Sequence, residues 1–273
     1  MAATDGFQEF DVPPEYALLV VDMKGYSQVP EAKMAVVRSD LDDILATVLT
    51  QSGLPAPRTL GDACKDTGDG AIVVLPAKYT ARLVDPLLRH LHEALVRYDT
   101  IRLASAPPIY LRASVHAGPL TPPDHRGDAI NEACRLVESE GARHAMTAAS
   151  GNGAFLAAAV SDAAFRRSVR AGRTPDVSER QLLKTAARVP GKPGFEETCW
   201  LLVPGVPPAV ISSYLPEADQ EPPAQPPASP AQEDAKNREA DGRPANVKQK
   251  GKASGKARIV QVGGNYTTGG EQS

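Results

Sequence analysis

The chain has 273 residues, too many for one small domain and few for two full ones. Thirty Lys and Arg stand against 33 Asp and Glu, a formal net charge of -3. That balance argues against a protein whose main work is coating nucleic acid or anionic lipid, and no specific nucleic acid is expected as a partner. Hydrophobic residues make up 42%. A folded part of roughly 200 residues would then bury about 70% of its unfolded surface without a covalent staple. Cys64, Cys134 and Cys199 are odd in number and far apart, which does not suit a disulfide framework. No run reaches the ~18 apolar residues of a membrane span, and residues 1–5 lack a signal-peptide core, so a cytoplasmic protein with no membrane partner is expected.

In chain order, residues 16–22 are a continuous apolar run ending in an acid, as in a central strand buried on both faces. Residues 32–49 carry apolar positions at helical spacing. Residues 60–65 and 71–75 read as strands joined by Asp66-Thr67-Gly68-Asp69-Gly70, where Asp-Gly is a strong hairpin signal. Residues 80–98 predict a second long helix, and residues 109–117 a strand with period-two alternation. A helix over 129–139 is opened by Gly127-Asp128, a helix is predicted over 160–169, and a strand over 198–203 closes the fold. The order predicts an α/β (α+β) fold, a ferredoxin-like βαββαβ core elaborated at its C-terminal end. The composition changes near Pro204. From there to Pro230 lie nine prolines, and from Lys236 to Arg258 eight Lys or Arg with two acids. The expected organisation is a folded domain over 1–204, a Pro-rich then basic disordered linker over 205–257, and a strand-like peptide over 258–273. Arg258-Ile259-Val260-Gln261-Val262 has strand composition but no partner of its own, so it suits docking onto the sheet edge of an effector or regulator.

Two acids stand out by placement. Asp22 closes the first buried strand and Asp69 sits at the tip of the hairpin expected beside it. Neighbouring carboxylates repel and raise each other's pKa unless a cation lies between them, and hard divalent ions bridging phosphates are the usual answer. A turn cap at Asp22 and an ordinary Asp-Gly turn at Asp69 are the structural alternatives. Asn131 and Arg135, one helical turn apart, share a face suited to a ribose and a charged phosphoryl group, or to plain solvent. Lys65 and Asp124 can read complementary atoms on a base edge. His116 and His125 lack metal-ligand spacing and read as packing or loop residues.

Together these segments resemble the catalytic domain of class III adenylate and guanylate cyclases. Val21-Asp22-Met23-Lys24-Gly25-Tyr26-Ser27 is similar to the family's first-strand motif, and Lys65-Asp66-Thr67-Gly68-Asp69 to its hairpin motif. Arg112-Ala113-Ser114-Val115-His116-Ala117-Gly118 resembles its fourth-strand motif, and residues 127–136 its Asn/Arg helix, all in the family's order over about residues 12–204. The chain departs at Val20 for Phe, at Tyr26-Ser27 for Phe-Thr, at Ala113-Ser114, and in the extra acids Asp66 and Asp128.

The resemblance implies two Mg²⁺ or Mn²⁺ ions per site, held by Asp22 and Asp69 with a backbone carbonyl from Met23. It implies that Arg135 stabilises charge on the α-phosphoryl, that Asn131 positions the ribose, and that Lys65 and Asp124, with Tyr16, contact the nucleoside triphosphate substrate. It implies a homodimer with shared sites, because in that family the metal acids and the Asn/Arg helix come from opposite subunits. Lys192 falls near a phosphate-contacting lysine of the family, or is a turn lysine. Lys65 and Asp124 favour ATP. A stand-alone domain of this size also resembles the Pycsar cyclases of bacterial antiphage defence, which make cyclic CMP or UMP, and the architecture favours that pyrimidine reading. A catalytically inactive nucleotide sensor or scaffold is the remaining alternative, and it predicts loss of a catalytic group.

Overall fold

The computed structural model of the chain describes residues 11–192 and 194–216. The elements are β1 (Glu15–Met23), α1 (Glu31–Gln51), α2 (Pro57–Leu60), β2 (Cys64–Asp66), β3 (Gly70–Pro76), α3 (Thr80–Val84), α4 (Leu87–Ile101), β4 (Leu111–Pro119), α5 (Asp128–Glu138), α6 (Glu140–Gly151), β5 (Leu156–Ser161), α7 (Asp162–Arg167), β6 (Leu183–Arg188), β7 (Glu196–Leu202) and α8 (Pro208–Ser212). Among the described residues no helix is long and apolar enough to cross a membrane.

One seven-stranded sheet runs in the order β2-β3-β1-β4-β5-β7-β6. The pairs β2–β3, β3–β1 and β1–β4 are antiparallel, which is the arrangement expected of the βαββαβ core. The elaboration adds β5 parallel to β4, then the antiparallel hairpin β6–β7.

Helices cover both faces, and the alternation of β1 shows why. Ala17, Leu19, Val21 and Met23 point into a core shared with α1 and α4. Leu18 and Val20 point the other way, where Ala129, Ala133 and Val137 of α5 pack on them. A strand buried on both faces must be apolar without interruption, as residues 17–21 are. α1 buries Val37, Leu41, Leu45, Val48 and Leu49, and α4 buries Leu87, Leu88, Leu91 and Leu95, each at helical spacing. Beyond β4, alanines dominate: Ala142, Ala145 and Ala149 of α6 meet Ala157 and Ala159 of β5, so helix and sheet approach closely.

Several expectations need correction. The helix expected over 160–169 is strand β5 up to Ser161 and then the short helix α7, N-capped by the Ser161 side chain. Burial between β4 and β7 overrides the helix propensity of Ala157-Ala158-Ala159. Of residues 60–65 only the end is strand, since Pro57 starts a helical turn. The helix over 80–98 is broken at Asp85-Pro86, where the Asp85 carboxylate accepts from the Asp176 backbone N–H at 2.7 Å. The boundary at Pro204 falls inside packed chain. The segment that was to begin the linker forms α8, and Val206, Ile211 and Leu215 are buried against α6, β6 and β7. The basic stretch and the peptide over 258–273 lie outside the described residues.

Candidate active site

Asp22 is the penultimate residue of β1, opposite Gly70 of β3 and Arg112 of β4. The β2–β3 hairpin is fastened there: the Met23 N–H donates to the Asp69 carbonyl at 2.9 Å. A Cβ on Gly70 would lie 1.9 Å from the Val21 carbonyl oxygen, so only glycine lets the strands meet this closely. Asp66 does not crowd the site with free charge. Its carboxylate accepts from the Gly68 N–H at 2.7 Å and pairs with Arg38 at 3.1 Å, which holds the turn and keeps Asp66 below the usual carboxylate range.

Arg112 reaches across from β4. Its Nε donates to Asp22 Oδ2 at 2.9 Å and a terminal guanidinium nitrogen contacts the same oxygen. Both side chains are mostly buried, 21% exposed for Asp22 and 15% for Arg112. Burial raises the Asp22 carboxyl above the ordinary value, Arg112 opposes the rise, and the nearby Asp69 and Glu138 add to it. Asp22 and Asp69 thus share one electrostatic neighbourhood and offer only oxygen donors, which fits Mg²⁺ or Mn²⁺ and not a soft metal. Met23 has its side chain in the core, so it has only backbone to offer. Among the described residues no group of three or more His, Cys, Asp or Glu forms a metal cage. An ion there would complete its shell with phosphate oxygens and water.

A second group gathers nearer the start of β1. Lys65 Nζ donates to the Asp124 backbone carbonyl at 3.3 Å, and the Asp124 carboxylate lies 3.3 Å from Arg126 Nε. The Tyr16 ring meets His125 edge-on at 4.9 Å. Lys65 and Asp124, widely spaced in sequence, meet between β2 and the loop before α5, and Tyr16 of β1 touches the same loop at His125.

Asn131 and Arg135 sit on α5. Asn131 is exposed, and the Arg135 guanidinium lies 5.3 Å from the centre of the Phe195 ring beside β7. Arg135 also faces Glu197 of β7, whose carboxyl is pushed up by burial and by Glu132 while Arg135 pulls it down. α5 packs across β1 and β4, with Arg135 turned toward β7 and Glu138 at its end near enough to Asp22 to act on it. α5 is seated by the Ser114 hydroxyl, which donates to the Ala133 carbonyl at 2.7 Å, and by Gly118, where a Cβ would lie 2.8 Å from that of Ala129. Ser114, a departure from the family motif, thus supplies a polar tether between β4 and α5.

Sequence reasoning missed the Arg112–Asp22 pair and the role of Lys192. The latter is not a bare turn lysine: its Nζ pairs with Glu138 at the end of α5, at 2.9 Å. His116 is buried, with Nε2 3.0 Å from the Glu132 carboxylate but not aligned for a hydrogen bond. That fits a packing residue.

No protein-family model and no curated protein matches the chain. Among solved structures it is similar to an adenylate/guanylate cyclase/hydrolase from Silicibacter pomeroyi (20% identity, TM-score 0.46, covering 70% of this chain and 98% of that one). It is also similar to a bacterial light-regulated adenylyl cyclase (14%, 0.45, 74% and 98%). A third is the monomeric guanylyl cyclase domain of the RhoGC fusion protein from the aquatic fungus Blastocladiella emersonii (12%, 0.43, 71% and 97%). Each of these three solved structures bears the name of an adenylyl or guanylyl cyclase.

Proposed function

We propose that the chain is a nucleotide cyclase that converts a nucleoside triphosphate to a 3′,5′-cyclic nucleotide and pyrophosphate, at sites shared by two copies of itself. The observation that carries this reading is the acid half-site, where the strand register sets Asp22 opposite Gly70 and the Met23 N–H fixes the Asp69 turn beside it, two oxygen-donor side chains suited to a divalent ion; Asn131 and Arg135 on α5 are proposed as the other half-site. In the cyclases that the sequence resembles, the two halves of a site come from opposite subunits, so a head-to-tail pair of chains is proposed to join them twice. A divalent ion at Asp22 and Asp69 supplies, when bound, the charge that lowers the pKa of the ribose 3′-hydroxyl and draws in the triphosphate. Asn131 orients the ribose, and Arg135 meets the charge that develops on the α-phosphoryl as the 3′-oxygen bonds to phosphorus and the bond to pyrophosphate breaks. The hydroxyl proton leaves to solvent.

The base is proposed to be a pyrimidine, with a role in antiphage signalling. Lys65 is turned onto the Asp124 backbone and Asp124 onto Arg126, so the pair does not present a free donor and acceptor to an adenine edge. Cyclisation of ATP is the second reading, because Lys65 and Asp124 do lie together and a small rotation would free both.

The deciding experiment offers ATP, GTP, CTP and UTP separately to the purified full chain with Mn²⁺, identifies products by mass and uses Asp69→Ala as control. Cyclic CMP or UMP as main product is expected. Cyclic AMP would favour the second reading, and no cyclic product from a folded, dimeric protein would reject the cyclase.

A further inference from the structure

Arg112 has no part in the scheme above, yet its guanidinium pairs directly with Asp22 in the acid half-site. It faces Asp22 directly across the β1–β4 ladder, so the pair is built into the strand register. Both of its contacting nitrogens reach Oδ2 and leave Oδ1 without a hydrogen bond among the described residues. Counting Asp22, Asp69 and Arg112, the half-site carries a net charge of -1 instead of -2; Glu138, the other acid nearby, is matched by Lys192. A bare divalent cation approaching this place meets a guanidinium already on the carboxylate it needs, whereas an ion carried on a triphosphate arrives with its charge cancelled.

We propose that Arg112 is a positioning residue, a resident counter-ion that keeps Asp22 beside Asp69 without metal and admits divalent ions together with the nucleotide instead of ahead of it. The inference rests on Asp22 and Asp69 being the metal ligands. It differs from a purely structural ion pair in one respect: removing Arg112 must tighten the binding of free metal even as it weakens the metal-free fold. Exchanging a guanidinium for solvent at a half-buried carboxylate changes cation affinity by about tenfold, equivalent to ~1.4 kcal/mol.

The test measures Mn²⁺ binding to the full chain without nucleotide, from the loss of the free-ion signal in electron paramagnetic resonance. The proteins are wild type, Arg112→Gln, Arg112→Lys and the double variant Asp22→Asn/Arg112→Gln. Arg112→Gln should bind Mn²⁺ about tenfold more tightly than wild type, with Arg112→Lys in between because it keeps the charge but loses the two-nitrogen grip. Should Arg112→Gln fail to fold, Arg112→Lys against wild type still decides. Affinity equal to or weaker than wild type in a folded Arg112 variant, or no binding by any, overturns the proposal. Tight binding by Arg112→Gln that survives addition of Asp22→Asn would instead overturn the assignment of Asp22 as a ligand.

Discussion

If one site draws its acids from one chain and its α5 residues from another, two dead variants should repair each other. Asp69→Ala removes one acid, and Arg135→Ala removes the guanidinium that α5 holds beside Phe195. Each variant homodimer then has two damaged sites, and loss of a group acting on transition-state charge costs about 10²–10³ in turnover. Equal amounts of the two chains that exchange freely give one half heterodimers. Each heterodimer holds one site with both halves intact and one with both damaged, so about one quarter of the wild-type activity returns. The increase over either variant alone is therefore at least tenfold, well outside assay error. Differently tagged chains, mixed and purified through both tags, fix the heterodimer content, and cyclic product is quantified by mass. A doubly tagged heterodimer no more active than its separate parents would falsify the shared site, because both of its intact halves would be present and idle.

Two further outcomes concern the fold. Burial, and then Arg167, hold the His116 imidazole down to about 4, below its ordinary 6.5. The unfolded chain therefore takes up a proton near pH 6.5 that the folded chain refuses until about pH 4. This stability is complete above pH 6.5 and is lost as the pH falls to 4, by at most about 3 kcal/mol; the Glu132 carboxylate at 3.0 Å works against the loss. Urea midpoints at pH 7 and 4.5 should converge in His116→Gln, and an unchanged difference would dismiss the histidine as its source. Phe165 is buried and stacks on Trp200 with ring centres 3.7 Å apart. Phe165→Ala should lose about 3–5 kcal/mol in urea denaturation at neutral pH, and a loss below ~1 kcal/mol would mean that the surrounding core collapses into the space.

The acid half-site was legible because each part is a local signal. An apolar run that stops at Asp22 reads as a buried strand end, and Asp69-Gly70 between two apolar runs reads as a hairpin tip, so their meeting followed from the strand pairing. The Arg112 contact was not legible, since it depends on which residue of β4 stands opposite Asp22, a register that no local signal encodes. The second half of the sheet was harder for another reason. Its strand β5 is written in alanine, whose intrinsic preference is helical, and only burial between two neighbouring strands decides the matter. α6 escaped notice because Ser139 ends α5 and caps the next helix within a single residue, accepting from the Ala142 N–H. Past Pro204 the proline count hid Ile211 and Leu215, two apolar residues enough to fix a short helix onto α6.

The seating of α5 has a mechanical consequence. The helix is held to β4 at its start by the close approach at Gly118 and at its middle by Ser114, and its Ala129, Ala133 and Val137 are buried on β1. Fixed in this way it has little freedom to slide or tilt, so it moves with the sheet as one body. In the shared site proposed above, any change in the distance between Arg135 and the carboxylates of the partner would then come from two rigid chains turning against each other. The adjustable joint of such a machine is its seam, and a regulator would act by gripping that seam from outside.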